Sequence, residues 1–288
     1  MPSPTHIIRF IAEEDHHCHL GQLVDTARDV GTDSFEGHPI KAFLINGTIF
    51  DGEVDTDKVM TVKQLLSPIA PEQCNYIRCL GLNYVDHAKE SKMELPKAPI
   101  VFTKPRTALG HPFPAVIPIP KVAQDGTSDY EAELCLVIKK TGKDIPEEQA
   151  LDYVLGYTCS NDVSARTAQM MTSQWCFSKG LDGSCPIGPV LVKSEAIGDP
   201  AEGLNVKAIY NGQTVQDGNT RDMIFNIRKQ ISYLSQGTTL EVGSIILTGT
   251  PDGIGYFRNP RIALKHGDEI RIWIEKIGTL VNMVRYEP

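Results

Sequence analysis

No apolar run in this sequence approaches the ~20 residues that span a bilayer, and no sustained basic stretch, Cys-x-x-Cys pair, internal repeat or low-complexity segment is present. The first absence argues against a membrane-spanning helix. The second, with a net charge of -8 and no arginine interleaved with aromatics, argues against a nucleic-acid partner. The seven cysteines stand singly at 18, 74, 79, 135, 159, 176 and 185, an odd count that favours reduced thiols. Cys135 and Cys159 lie in apolar runs and read as small core residues. The opening stretch MPSPTHIIRFIAEEDHHCHL lacks a long apolar core and carries Glu13, Glu14 and Asp15. Neither a secretory nor a transit leader is expected, and the expected compartment is the cytoplasm.

What is present suits a globular protein: 288 residues, 41% hydrophobic and 22% charged, enough for a large domain with a smaller companion. Residues 1–72 read as a small α/β unit. IIRFIA (7–12) and AFLING (42–47) are its expected strands, with a helix-like stretch near Gly21–Val30 between them. A second short helix is expected over TVKQLLSPIAPEQ (61–73), ended by Pro68 and Pro71. Asn46-Gly47 supplies hairpin-turn chemistry. The His16-His17-Cys18-His19 cluster suits a metal poorly, because adjacent side chains point apart. Residues 73–288 form the second unit, with buried-looking strands at YIRCLGLNY and PIVFTKP and an edge or extended segment at the proline-rich HPFPAVIPIP. VDHAKESKMEL reads as a helix or lid, and Asn211-Gly212 as a hairpin turn. An amphipathic helix is expected over 223–236, apolar at Ile224, Ile227, Ile231 and Leu234. Strands outnumber helices, so the pattern predicts a β-rich α+β fold, closed or layered, and not a Rossmann sheet.

The chemistry concentrates between Ser128 and Arg166. Glu131 and Glu133 are two apart and run into the apolar Leu134–Ile138, so on a strand both carboxylates project from one side. Desolvated together they repel, and a divalent cation relieves that repulsion. Asp162, at the end of another apolar run, offers a third oxygen. Ligation by oxygen alone points to Mg²⁺, Mn²⁺ or Ca²⁺ rather than zinc. The alternative is a pair of solvated acids at a strand edge.

His87 and Glu90 are i and i+3 on the expected helix, which sets an imidazole beside a carboxylate. Such a pair takes a proton from water near neutral pH, or is simply a solvated surface pair. Lys179, in SKGLDGSCPIGP, can reach a substrate carboxylate or an enolate. In SIILTGTPDGIG the turn after the strand offers hydroxyls and backbone N–H groups as an anion cradle, without the lysine of a P-loop. Arg166 and Gln169 are candidates for holding a carboxylate or carbonyl. Ser160 and Ser164 lie in no nucleophile-elbow context, so a serine triad is not expected.

GLNYVDHAKE, VFTKP, DYEAELCLVI, GYTCSNDVSAR, FSKGLDGSCPIGP and TGTPDGIG follow one another over roughly residues 75–285. In that order they resemble the motifs of the fumarylacetoacetate hydrolase superfamily. The resemblance implies a twisted β-sandwich or β-roll core, a homodimer, and a metal site under a mobile lid. Carried over motif by motif, it implies Glu131, Glu133 and Asp162 as ligands of Mg²⁺ or Mn²⁺, and His87 with Glu90 as a water-activating dyad. Lys179 corresponds to the lysine near the metal and Thr250 to a contact for the substrate carboxylate, with Arg166 and Gln169 as further substrate contacts. One departure is the small Asp182-Gly183-Ser184 loop, which reads as opening the pocket. The implied activity is hydrolysis of a C–C bond in an acylpyruvate-like 2,4-diketo acid. Decarboxylation or keto–enol isomerisation of oxaloacetate is the alternative on the same residues, and a non-catalytic binding module the third reading.

Overall fold

The strand Ala132–Ile138 is buried along its whole length, and the fold is built outward from it. In the computed structural model, which describes residues 3–288, it pairs antiparallel with Val154–Asn161 on one side and Ile245–Leu247 on the other. The large sheet continues from Val154–Asn161 through Cys185–Lys193 to His6–Ala12, and from Ile245–Leu247 through Ile77–Gly81 to Ile100–Lys104. A five-stranded sheet, ordered Gln213–Asn219, Asn205–Tyr210, Glu269–Ile274, Gly278–Tyr286 and Val116–Ile119, covers one face. Leu134, Leu136 and Ile138 enter a core with Val206, Ile272 and Leu280 of that second sheet. The intervening Cys135 and Val137 enter another core with Ile77, Ile187 and Ile245. A strand packed on both faces needs apolar residues at every position, which is why Leu134–Ile138 is a continuous hydrophobic run. The β-rich α+β architecture expected from the pattern is the one observed.

The strands of residues 6–66 close into a ring. His6–Ala12 and Lys41–Asn46 each pair with both Cys18–Leu23 and Glu53–Leu66. The ring is stitched to the large sheet where His6 and Ile7 pair with Val192 and Leu191. Neither helix expected in this segment forms where the sequence suggested. Residues 18–23 are strand, and the helix is Val30–Glu36. Asp29 caps it, accepting from Thr32 N at 3.3 Å, and also accepts from Thr279 N at 2.9 Å, which pins the helix to the last strand. Residues 61–66 belong to the long strand Glu53–Leu66. The β-branched Thr61 and Val62 find sheet partners in Lys41 and Ala12, and that pairing wins over the helical spacing.

Beyond residue 72 the proline-rich segment ends in the edge strand Val116–Ile119, parallel to Gly278–Tyr286. The amphipathic helix starts at Ile227, capped by Asn226 accepting from Lys229 N at 3.0 Å. The expected first turn is not helical because Met223 bridges to Tyr84 and Ile224 N donates to Asn83 O. Those contacts fix the entry to the short helix Val85–Glu90. All seven cysteines are unpaired. Among the described residues no helix is long and apolar enough to cross a membrane.

Candidate metal centre

Register in the large sheet brings the acids together. Ala132 pairs with Asn161, so Glu131 and Asp162 sit at matched strand ends, with Asp162 N donating to Glu131 O at 2.9 Å. Glu131 N donates to Asn161 Oδ1 at 3.0 Å, which closes the corner. Glu131, Glu133 and Asp162 are all buried, with one carboxylate oxygen of each within 4.8 Å of the others. Glu133 Oε2 accepts from Gly249 N at 2.7 Å. Gly249 takes φ +94, a conformation open to glycine, to aim that N–H. Lys179 Nζ donates to Glu131 Oε2 and Asp162 Oδ2 at 2.8 Å each, and to Ser164 Oγ at 2.7 Å.

The charges around these acids do not balance. Lys179 faces two of the carboxylates, and Lys104 Nζ, equally buried, lies 2.7 Å from Asp162 Oδ1. Arg166 bridges Glu131 and Asp129 at 2.7 and 2.8 Å, so its charge is shared with a fourth acid. Burial alone would raise the Glu131 carboxyl, but Lys179 and Arg166 outweigh it and hold that group well below the usual carboxylate range. Glu133 has no such partner. Burial pushes it well up, and the charges of Asp162 and Glu131 push further. Asp162 Oδ1 is buried and, despite the nearby Lys104, accepts no aligned hydrogen bond. An acid without a cation of its own in an all-oxygen set fits a hard divalent cation.

Above the acids lies a cavity of about 250 Å³ whose wall includes His87, Glu131, Arg166, Gln169, Lys179 and Thr250. His87 Nδ1 lies 3.2 Å from Glu90 Oε2, and Glu90 Oε1 accepts from Gly253 N at 3.0 Å. The anion cradle expected in TGTPDGIG is already filled by the protein itself. Gly249 N bonds Glu133, Gly253 N bonds Glu90, and Gly255 N and Tyr256 N bond Asp129. Thr250 Oγ1 donates to Ala132 O at 3.0 Å and accepts from Gln216 Nε2 at 2.8 Å. Gln169, in the cavity wall, accepts through Oε1 from Arg166 Nη1 at 2.9 Å, and its amide N–H groups are not used in that bond. The Asp182–Ser184 loop does not line this cavity. Ser184 Oγ instead bonds Lys179 O at 2.9 Å, and Asp182 lines a separate groove.

The family described as fumarylacetoacetate (FAA) hydrolase C-terminal matches residues 76–285. The chain belongs to the fumarylacetoacetate hydrolase family. It is 46% identical over 290 residues to caffeoylpyruvate hydrolase of Neonothopanus nambi, covering 98% of this chain and 94% of that protein. It is 42% identical over 208 residues to oxaloacetate tautomerase FAHD2A, mitochondrial, of Homo sapiens, covering 72% of this chain and 65% of that one. The fold also matches fumarylpyruvate hydrolase from Pseudomonas aeruginosa, solved in complex with Mn²⁺ and pyruvate. There the TM-score is 0.67 at 29% identity, covering 78% of this chain and 93% of that chain.

In this fumarylacetoacetate hydrolase family member, two buried charges escaped the sequence reading. Lys104 sits in VFTKP, at the end of a strand that gives no hint that its side chain turns toward Asp162. Asp129 opens the DYEAE motif two residues before Glu131, and it holds both Arg166 and the Gly255–Tyr256 backbone. Asp129's carboxyl is nonetheless raised, because burial outweighs the pull of Arg166.

Proposed function

We propose that the protein is a Mg²⁺- or Mn²⁺-dependent hydrolase that cleaves the C–C bond of a 2,4-diketo acid of the acylpyruvate type. The observation that carries this reading is the buried Glu131–Glu133–Asp162 set, short of positive charge, at the cavity into which His87 is placed by Glu90. Bound by those carboxylates, the cation supplies electrophilic stabilisation of negative charge on the keto acid's oxygens. With Nδ1–H donated to Glu90 Oε2, the neutral imidazole of the cavity-lining His87 keeps Nε2 as its free base. It takes a proton from water, which attacks the distal carbonyl carbon. The bond to the pyruvate unit then breaks, releasing a carboxylic acid and pyruvate, with the proton returned to the enolate carbon. Lys179 places a buried ammonium beside the reacting acid, and the Gln169 amide is free to orient its oxygens.

The tautomerase relative supports a second reading, in which His87 and Glu90 shuttle a proton between C3 and the enol oxygen of oxaloacetate without consuming water. Loss of CO₂ from the same acid is its neighbour. Pyruvate release from acetylpyruvate and from oxaloacetate, each with Mg²⁺ or EDTA, separates them. Metal-dependent release from acetylpyruvate with acetate in step supports hydrolysis. Enol–keto exchange of oxaloacetate without such release supports the tautomerase, and CO₂ formation the decarboxylase. A His87→Ala variant that keeps decarboxylation and loses hydrolysis assigns the dyad to water.

The seven unpaired cysteines, five of them buried, suit a reducing compartment such as the cytoplasm. A homodimer would cover Val122 and Phe177, 62% and 67% exposed on one groove, and light scattering tests it.

A further inference from the structure

We infer that the acyl half of the substrate is an uncharged aromatic group, an inference that rests on the acylpyruvate hydrolysis proposed above. The cavity has two chemically different ends. At the acid end every basic side chain is engaged: Arg166 by Asp129 and Glu131, Lys179 by Glu131 and Asp162, and His87 by Glu90. The remaining wall is dominated by Leu80, Leu82, Met93, Trp175, Tyr256 and Phe257. A second carboxylate carried on the acyl group would enter this apolar end with no lysine or arginine among its lining residues to meet it, at the cost of desolvation. A flat ring would meet other rings there.

Those rings are held by packing against one another and against neighbouring side chains. Phe257 meets Tyr256 edge-on with centroids 5.3 Å apart, and the Arg261 guanidinium lies 4.2 Å from the Tyr256 ring centroid. Trp175 packs edge-on against Phe102 at 5.8 Å. Its indole lies over Gly81, where a Cβ would run into Cζ3 and come within 3.1 Å of Cη2. Gly81 sits in a strand and is absent from the positive-φ residues, so what the position requires is room for the indole, not glycine's backbone freedom. At the mouth Met93 is 51% exposed and Phe257 37%, large apolar groups left for a ligand to cover. Trp175 and Phe257 are thus the specificity-determining walls, and Gly81 positions the first of them.

The test compares kcat/KM with Mg²⁺ for benzoylpyruvate, acetylpyruvate and fumarylpyruvate, whose acyl groups are aromatic, small and carboxylated. Benzoylpyruvate is expected to lead both by about tenfold or more. Trp175→Ala and Gly81→Ala should each reduce the benzoyl-to-acetyl ratio about fivefold, mainly through KM, while Trp175→Phe restores it. Trp273→Phe leaves Trp175 as the single tryptophan of the two, so its fluorescence reports binding without turnover. Benzoylpyruvate should quench it at lower concentration than acetylpyruvate. Equal kcat/KM for all three acids, or a preference for fumarylpyruvate, overturns the inference. If none of the three is turned over, the hydrolase reading fails and the titration decides the aromatic subsite alone. Tighter quenching by benzoylpyruvate then supports the subsite, and equal or absent quenching overturns it.

Discussion

Replacing Lys104 by methionine removes one of the two ammonium groups that face the three acids. The Lys104 side chain is fully buried, 2.7 Å from Asp162 Oδ1, and it also bonds Lys179 O, Ser184 O and Ser184 Oγ. Methionine is of similar length, so what is lost is charge and hydrogen bonding more than packing. Breaking a buried pair from one side costs about 3–5 kcal/mol. At about 2–4 °C per kcal/mol for larger domains, the metal-free protein should melt on the order of 10 °C lower. The same change moves the formal charge on Glu131, Glu133, Asp162, Lys104 and Lys179 from three acids against two ammonium groups to three against one. A divalent cation should therefore bind the variant more tightly, and the stabilisation it gives grows with the logarithm of concentration over Kd. Scanning calorimetry in EDTA and in a Mg²⁺ series measures both effects. The expected result is a lower Tm in EDTA together with a larger Mg²⁺-induced rise than in the wild type. An unchanged Tm in EDTA would refute the buried pair, and a Mg²⁺ rise no larger than the wild type's would refute the charge accounting.

Three further changes probe other parts of the structure. Burial and the charges of Asp162 and Glu131 raise Glu133 well above its ordinary range, so a proton competes with the cation for that carboxylate. Metal affinity should therefore rise with pH up to the Glu133 titration, with proton release visible as a buffer-dependent heat in calorimetry; a pH-independent Kd would contradict this. Glu90→Gln can keep the bond from Gly253 N but presents an amide N–H to His87 Nδ1, which moves the imidazole proton to Nε2. Hydrolysis should then fall by about 10²-fold or more with metal affinity unchanged, and full activity would remove His87 as the base. Asp29→Ala takes the cap from Val30–Glu36 and the tie to Thr279. It should cost about 1–2 kcal/mol in urea denaturation and leave kcat untouched.

The features legible in the sequence were those set by nearby residues. Two acids at i and i+2 on a strand share a face wherever that strand lies, and an i, i+3 pair meets on any helix, so Glu131 with Glu133 and His87 with Glu90 could be read locally. Lys104 and Asp129 could not, because their roles depend on partners brought close only by sheet order and loop course. The TGTPDGIG loop was recognised as rich in donors, but whether those donors face a ligand or the protein's own carboxylates is a question of tertiary packing. The segment 61–66 illustrates a different failure. Val62, Leu65 and Leu66 satisfy a helical spacing, while in the strand Leu65 and Leu66 pair with Phe10 and Arg9 and face opposite sides, and both are buried.

The same loop carries a thermodynamic consequence. Gly249 holds a carboxylate of the candidate metal set, and four residues on Gly253 holds the carboxylate that seats the helix bearing His87. Any energy that passes along that stretch is shared in both directions. If loading the cation tightens the helix's seat by some factor, a ligand that closes the helix must tighten the cation by the same factor. Metal affinity measured with and without a bound keto acid would then report how firmly the helix is held.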